Sequence, residues 1–99
     1  MKKSLVIIPT YNEKENIVRL IKSILDLNLN IEILVVDDNS PDGTGKVVEE
    51  LKKNDPRIHL IQRSGKLGLG SAYITGFKYA LEKTEVDYIF EMDADFSHD

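Results

Sequence analysis

The chain has 99 residues, of which 41% are hydrophobic and 30% are charged, values typical of one globular domain. The net charge of −4 disfavours nucleic acid as a partner, because non-specific binding to it depends on a basic surface. The lack of cysteine excludes a disulfide framework, a zinc–thiolate site and a cysteine nucleophile. The longest apolar run, residues 5–8, is too short for a membrane span or a signal peptide, so we expect a cytoplasmic domain.

Four short apolar runs rich in β-branched residues predict four strands, over residues 5–8, 31–36, 58–61 and 86–92. Helical segments separate these runs. We therefore expect an α/β fold with right-handed βαβ units, in which helices cover both faces of a Rossmann-like parallel sheet. The predicted strand order is 3-2-1-4. This order places a ligand site beyond the carboxyl ends of strands 1 and 4, where the winding direction reverses.

Three segments with helical periodicity separate the strands. The first is predicted to begin near Asn12, because Thr10 and Glu13 have the spacing of a capping box. The second is predicted over residues 44–53. The third follows residue 70, and its inward face is predicted to carry four side chains: Tyr73, Phe77, Ala80 and Leu81.

The loop after the fourth strand carries the sequence Asp93-Ala94-Asp95. Carboxylates two residues apart project from the same side of an extended chain, and a hard divalent cation relieves their mutual repulsion. Mg²⁺ or Mn²⁺ typically binds one or two carboxylates together with phosphate oxygens and water. A solvated loop or a helix N-cap would use the same residues, but their position at the switch point favours a metal bound to a diphosphate.

Polar residues also follow the second strand, which ends at Asp37-Asp38. An acidic residue there can accept hydrogen bonds from a ribose or a base, whereas aspartates also shape turns. We expect one of the pair to form the turn and Asp38, which lies farther out, to contact the ligand.

The loop after the first strand contains Pro9, Tyr11 and Glu13 where a dinucleotide-binding protein would have three glycines, so NAD is disfavoured. Tyr11 could stack on a base. Glu13 could bind a ribose hydroxyl or cap the first helix.

A glycine-rich loop over residues 63–70 includes Arg63 and Lys66. It is interpreted either as a phosphate cradle at a helix N-terminus or as a flexible loop that allows close packing. The two histidines, His59 and His98, lack the spacing of metal ligands.

Four segments together resemble the family 2 glycosyltransferases, and more narrowly the catalytic domain of dolichol-phosphate (polyprenyl-phosphate) mannosyltransferases. They are residues 6–13 (VIIPTYNE), 35–44 (VVDDNSPDGT), 66–73 (KLGLGSAY) and 92–99 (MDADFSHD). Their order and spacing match the family from residue 5 to the last residue. The resemblance implies the N-terminal, nucleotide-binding half of a GT-A fold. Members of the family continue well beyond the Asp-x-Asp motif, so residues 1–99 are expected to be the nucleotide-sugar-binding half of a longer domain, truncated at its C-terminal end.

The resemblance also implies the roles of eight residues. The nucleotide pocket is lined by Pro9, Tyr11 and Glu13. The base and ribose are contacted by Val36 and Asp38. The diphosphate is met by Asp93, Ala94 and Asp95. Asp95, helped by Asp93, is expected to hold Mg²⁺ or Mn²⁺. The implied donor is GDP-mannose, and the implied acceptor is a polyprenyl (dolichyl) phosphate at the cytoplasmic face of a membrane. The acceptor phosphate is already anionic, so no catalytic base is assigned.

Three alternatives stay open at the level of sequence. The first is a transferase that uses a UDP-sugar on a polyprenyl phosphate. The second is a nucleotide-binding module without transfer activity. The third is a receiver-like or flavodoxin-like module, which would also have a small parallel sheet with acidic loops.

Overall fold

The computed structural model describes residues 2–27, 30–65 and 67–94. Four parallel strands form a single sheet within this part of the chain: β1 (Ser4–Thr10), β2 (Ile31–Asp37), β3 (Ile58–Gln62) and β4 (Tyr88–Glu91). Three helices connect the strands: α1 (Lys14–Leu25), α2 (Thr44–Asn54) and α3 (Leu69–Lys83). The strand order is β3-β2-β1-β4, which confirms the predicted α/β class and the predicted order.

The two central strands, β1 and β2, are mainly apolar because helices cover both of their faces. Along β1, Val6 and Ile8 contribute to a core cluster with α1 and α2, whereas Leu5 and Ile7 contribute to a second cluster with α3. This alternation follows from the opposite directions of successive side chains in a strand. Helices thus pack on both faces of the sheet, and the loops that follow the strands lie at its carboxyl edge.

The first helix begins at Lys14, two residues later than predicted, and the expected capping box is not formed. Thr10 still belongs to β1, and its hydroxyl donates to Asp37 Oδ1; it does not accept a hydrogen bond from a backbone N–H at the start of a helix. Asn12 has a φ of +56°, a left-handed conformation that turns the chain between strand and helix. The capping prediction was wrong because Thr10 stays in the strand, so the residue before the helix is Glu13 and Thr10 is not at the N-cap.

The predicted inward face of the third helix is confirmed at Ala80, which is buried, and at Tyr73, which packs on the core, but not at Phe77 and Leu81. Its buried residues are Ala72, Gly76 and Ala80, whereas Phe77 and Leu81 are 49% and 71% exposed. Small side chains allow the helix to approach the sheet closely. A Cβ built on Gly76 would lie 2.7 Å from Ile7 Cγ2, so this position needs glycine. Hydrophobicity favoured the larger side chains, but close packing selected the small ones.

The fourth strand lies at the edge of the sheet and is paired only with β1 among the described residues. Its Tyr88 and Phe90 rings are exposed, and their centroids lie 6.5 Å apart. Apolar surface is therefore exposed at this open edge of the sheet. No helix in the described ranges is long and apolar enough to cross a membrane.

Candidate nucleotide-sugar site

An open cavity of about 270 Å³ lies at the carboxyl edge of the sheet, beyond β1 and β4. Its walls come from the loops after β1, β2 and β4 and from the beginning of α3. This is the point where the strand order reverses, which is where open α/β sheets bind ligands. The cavity therefore occupies the place that the sequence predicted for the functional site.

Six of the eight residues that the sequence singled out line this cavity: Pro9, Tyr11, Glu13, Asp38, Asp93 and Ala94. The other lining residues are Thr10, Gly68, Leu69 and Ala72. Residues up to 85 positions apart in the chain thus meet in one place, because three parallel strands end at the same edge.

The other two of the eight residues are Val36 and Asp95. Val36 is fully buried in the core cluster beneath α3 and is not part of the cavity wall, so its side chain does not face a ligand there. The reason is the alternation of side chains along β2, which directs this residue into the sheet–helix interface. Asp95 lies outside the described residues.

The two aspartates at the end of β2 have different partners. Asp37 accepts hydrogen bonds from the Thr10 hydroxyl at 2.7 Å, the Ser40 hydroxyl at 2.6 Å and the Ser40 backbone N–H at 3.0 Å. These bonds shape the turn after the strand and tie it to the end of β1. The structure therefore assigns Asp37 to the turn and leaves Asp38 at the cavity.

Asp38 forms a two-pronged ion pair with Arg63. Arg63 Nε donates to Asp38 Oδ1 at 2.6 Å and Arg63 Nη2 donates to Oδ2 at 2.9 Å, with each side chain only 8% exposed. The backbone N–H of Leu67 donates to the same Oδ2 at 3.1 Å. A carboxylate offers about four acceptor positions. The three described bonds leave Oδ1 with room for one more donor.

Arg63 holds the β3–α3 loop rather than presenting its charge to the cavity. Besides Asp38, its guanidinium donates to Ser71 Oγ at 2.7 Å and to the Gly68 carbonyl at 3.2 Å. Of the two interpretations of this loop, the described contacts therefore disfavour a phosphate cradle based on Arg63. Lys66 lies outside the described residues.

The loops after β1 and β2 are locked together by hydrogen bonds that the sequence analysis did not foresee. The backbone N–H groups of Asn12, Glu13 and Lys14 donate to Ser40 Oγ, Thr44 Oγ1 and Asp42 Oδ2, at 2.9, 3.0 and 3.1 Å. These donors lie at the start of α1, where backbone N–H groups lack helical partners. The β2–α2 loop thus caps α1 from a distance and positions Glu13 at the cavity. The feature of the sequence that could have indicated this cap is the polar segment at residues 39–44, which supplies the acceptors.

Asp42 is ionised more readily than an ordinary aspartate in this network. Burial acts to raise the pKa of Asp42, but hydrogen bonds from the Thr44 hydroxyl and from the Lys14 and Thr44 backbone N–H groups outweigh it. The result is a pKa below the usual value.

Asp93 follows β4 and receives a hydrogen bond from α3. The Tyr73 hydroxyl donates to Asp93 Oδ1 at 3.0 Å. Burial, the hydrogen bond to Asp93 and the charges of Asp93 and Glu91 raise the pKa of Tyr73 to about 12, so the hydroxyl remains a proton donor at neutral pH. Sequence reasoning placed Tyr73 on the inward face of the helix but did not foresee this contact.

The described residues provide one carboxylate, that of Asp93, at the end of the cavity nearest the Asp-x-Asp motif. No group of three His, Cys, Asp or Glu side chains that could hold a metal occurs among residues 2–27, 30–65 and 67–94. A carboxylate is nevertheless a suitable hard ligand for Mg²⁺ or Mn²⁺, whose coordination is usually completed by phosphate oxygens and water. The donor chemistry therefore fits a cation that arrives with a diphosphate.

His59 belongs to a different cluster, away from the cavity walls. Its Nε2 lies 2.6 Å from Glu32 Oε1 and its Nδ1 lies 3.1 Å from the Tyr79 hydroxyl. Burial acts to raise the pKa of Glu32, but hydrogen bonds and charges from His59 and Lys3 hold it below its usual value. His98 lies outside the described residues.

Comparison with known proteins identifies the family. The model of glycosyl transferase family 2 matches residues 5–99, nearly the whole sequence. The chain belongs to glycosyl transferase family 2. This assignment confirms the resemblance found in the sequence and sets aside the receiver-like and flavodoxin-like alternative.

Two curated relatives are similar over almost the whole of this chain. The polyprenol monophosphomannose synthase of Mycolicibacterium smegmatis is 47% identical over 97 residues, and the undecaprenyl-phosphate mannosyltransferase of Micrococcus luteus is 47% identical over 94 residues. These alignments cover 97% and 95% of this chain but only 36% and 38% of the relatives. The chain thus spans little more than a third of their length.

Solved structures agree with the fold. A mannosyltransferase from Pyrobaculum calidifontis, in complex with GDP-Man and Mn²⁺, superposes with a TM-score of 0.79 at 28% identity, covering 94% of this chain and 27% of that one. Glucosyl-3-phosphoglycerate synthase from Mycobacterium tuberculosis, in complex with Mn²⁺, UDP and phosphoglyceric acid, gives 0.59 at 25% identity, covering 95% and 33%. The neighbours are GT-A glycosyltransferases, as the sequence predicted.

Proposed function

We propose that residues 1–99 form the donor-nucleotide site of a transferase that moves mannose from GDP-mannose to a polyprenyl phosphate. The observation that carries this proposal is the cavity at the β1–β4 switch point. It brings together six residues from motifs distant in sequence, in a member of the family. The names of the two curated relatives support the mannosyl group and the polyprenyl acceptor. The complex of the Pyrobaculum mannosyltransferase supports GDP-mannose and Mn²⁺.

In this proposal the nucleoside lies between the loops after β1 and β2. The half-exposed ring of Tyr11 stacks on the guanine, and Glu13 accepts a hydrogen bond from a ribose hydroxyl. Asp38 contributes the acceptor position left on Oδ1, while its pairing with Arg63 fixes the orientation of the carboxylate. The contribution assigned to Val36 is reduced to shaping the strand that ends at Asp38, because its side chain is buried.

The diphosphate lies toward the end of β4, beside Asp93 and Ala94. Asp93 would hold Mg²⁺ or Mn²⁺ together with Asp95. The cation, when bound, neutralises the charge that develops on the departing GDP. An oxygen of the acceptor phosphate forms a bond to the anomeric carbon of mannose as the bond from that carbon to the GDP oxygen breaks. The acceptor oxygen is already anionic and needs no general base from this chain.

The acceptor in this proposal is a lipid phosphate, so the complete enzyme works at a membrane surface, on its cytoplasmic side. Residues beyond the donor site are needed to bind that lipid, and we place them in the part of the catalytic domain that follows the Asp-x-Asp motif. The chain by itself is then expected to bind nucleotide without turnover.

A transfer assay tests the proposal. The complete polypeptide is incubated with undecaprenyl phosphate in detergent, Mn²⁺ and either GDP-[³H]mannose or UDP-[³H]glucose. We expect radiolabel in the lipid fraction from GDP-mannose only. Label from UDP-glucose alone would favour the UDP-sugar alternative, for which the UDP complex of glucosyl-3-phosphoglycerate synthase is the supporting observation. Nucleotide binding without label from either donor would favour a non-catalytic module.

A further inference from the structure

A hydrogen bond connects the third helix to the loop that bears the candidate metal ligand. Tyr73 and Asp93 are 20 residues apart in sequence, and the Tyr73 hydroxyl donates to Asp93 Oδ1 at 3.0 Å. The ring of Tyr73 packs against the core cluster that contains Leu5, Ile7 and Ala72. The hydroxyl is therefore carried by a side chain whose position is set by the core, whereas Asp93 is exposed and lies two residues beyond the edge strand β4.

The hydrogen bond from Tyr73 matters because a metal ligand needs a fixed direction, whereas the side chain of an exposed carboxylate can rotate. A hydrogen bond to one carboxylate oxygen restricts this rotation. A tyrosine has only two side-chain torsions, and here its ring is already packed, so little additional entropy is lost in making the bond. A phenol also provides a neutral donor. It orients the carboxylate without the competing positive charge that a lysine or arginine would bring.

We propose that Tyr73 is a positioning residue for the donor site: it holds Asp93 Oδ1 so that the carboxylate is directed toward the diphosphate and its cation. The inference rests on the proposed function, since it takes Asp93 as a ligand of that cation. Partners of this kind, which orient a metal ligand without contacting the metal, typically change metal affinity by about 10–100-fold when removed.

The test compares two tyrosines of the same helix. Tyr73→Phe removes the hydroxyl that holds Asp93. Tyr79→Phe removes a hydroxyl six residues farther along α3, which contacts His59 instead and lies off the cavity wall. The dissociation constant of Mn²⁺ is measured by electron paramagnetic resonance with saturating GDP, and the dissociation constant of GDP is measured separately in EDTA. The urea midpoint of each variant establishes that it is folded.

We expect Tyr73→Phe to raise the Mn²⁺ dissociation constant by about 10-fold or more while leaving metal-free GDP binding within about twofold of the wild type. Tyr79→Phe should leave both constants at wild-type values. In an Asp93→Asn background the Tyr73→Phe change should have no further effect on Mn²⁺ affinity, because the ligand that it orients is already altered. This second comparison separates positioning from a general loss of stability.

The outcomes for the two proposals differ. A wild-type protein whose GDP complex does not bind Mn²⁺ would overturn the proposed function and, with it, the role of Tyr73. A wild type that binds Mn²⁺ with GDP, together with a Tyr73→Phe variant equal to Tyr79→Phe, would overturn the positioning role alone. An equal loss of Mn²⁺ affinity in the Asp93→Asn background would also overturn it, because the hydroxyl would then act independently of Asp93.

Discussion

The last residue of β1 donates a hydrogen bond to the last residue of β2: Thr10 Oγ1 lies 2.7 Å from Asp37 Oδ1. Both side chains are buried, and the same carboxylate also accepts two bonds from Ser40. The two strands that carry the nucleotide loops are thus joined at the edge of the cavity. Because the ends of β1 and β2 are held together, the loops that follow them begin side by side, and Tyr11 and Asp38 line the same cavity.

Replacement of Thr10 by valine should weaken this junction. The variant keeps the shape of the side chain but leaves one acceptor position of a buried carboxylate without a donor. We expect the free energy of unfolding to fall by about 1–3 kcal/mol, measured by urea denaturation. The control is Thr84→Val, whose hydroxyl donates to the Ala80 carbonyl at the end of α3, far along the chain from the site. It should cost about 1 kcal/mol or less. Equal losses in the two variants would contradict a special role for the Thr10–Asp37 bond.

The close approach of α3 to the sheet gives a second prediction. Gly76→Ala should lower the free energy of unfolding by about 1–3 kcal/mol, because the added Cβ would lie 2.7 Å from Ile7 Cγ2 and the core would have to shift. Gly70→Ala, in the first turn of the same helix, adds a Cβ with nothing within 4 Å. That control should be neutral or slightly stabilising, since alanine favours a helix. A neutral Gly76→Ala would show that the helix can move away without cost.

The sequence predicted the sheet more accurately than the inward face of α3. Alternation of apolar runs and turn residues is enough to predict four parallel strands and their order, because few topologies satisfy right-handed crossovers. The choice between Phe77 and Gly76 as the inward residue depends on the distance between α3 and β1, which no pattern within the helix contains. Hydrophobicity alone therefore placed Phe77 and Leu81 on the inward face of α3, where the structure places Ala72 and Gly76.

The candidate site, like α3, was predicted only in part from the sequence. The ends of the strands could be placed from the sequence, so Tyr11, Asp38 and Asp93 were expected together. The partners that orient them were missed. Arg63 and Tyr73 meet their aspartates only after the chain has folded, across 25 and 20 residues, and the spacing of neither pair reveals a contact. The side chain of Val36 is buried beneath α3 and is not on the cavity wall, because successive residues of a strand face opposite sides of the sheet.

The loop network around Asp42 predicts a dependence of stability on pH. The pKa of Asp42 is lower in the folded protein than its usual value of 3.8. The unfolded chain therefore binds more protons in this range, and the contribution of Asp42 to stability is fully present above about pH 4 and decreases as the pH falls through the folded pKa. Unfolding by urea, measured between pH 2.5 and pH 6, should show a shallower loss of stability in acid for Asp42→Asn than for the wild type.

The control for this series is Glu85→Gln, which removes an exposed carboxylate from the connection between α3 and β4. It should retain the acid dependence of the wild type. If stability falls with acid as steeply in Asp42→Asn as in the wild type, the prediction is contradicted. Protonation of Asp42 would then not weaken the hydrogen bonds that Asp42 accepts from Lys14 and Thr44.

Tyr11 supplies a prediction for the nucleoside. If its ring stacks on the base, Tyr11→Ala should weaken GDP binding by about 1–3 kcal/mol, the range found for stacking of bases on aromatic side chains. Isothermal titration calorimetry measures the change. Tyr88→Ala is the matched control, because it removes an exposed aromatic ring of β4 that does not line the cavity. A Tyr11→Ala variant with the GDP affinity of the wild type would assign this ring to the scaffold instead.

A thermal-shift titration tests most directly whether the protein has a site for GDP that works together with a divalent cation. The protein is heated with GDP, UDP or AMP, each in Mn²⁺ and in EDTA, alongside an Asp95→Ala variant. A ligand that binds only the folded state raises the melting temperature by mass action. We expect the largest rise with GDP, a larger rise in Mn²⁺ than in EDTA, and loss of that Mn²⁺-dependent part in Asp95→Ala. A preference for UDP, or a cooperative transition that no nucleotide shifts, would contradict this expectation.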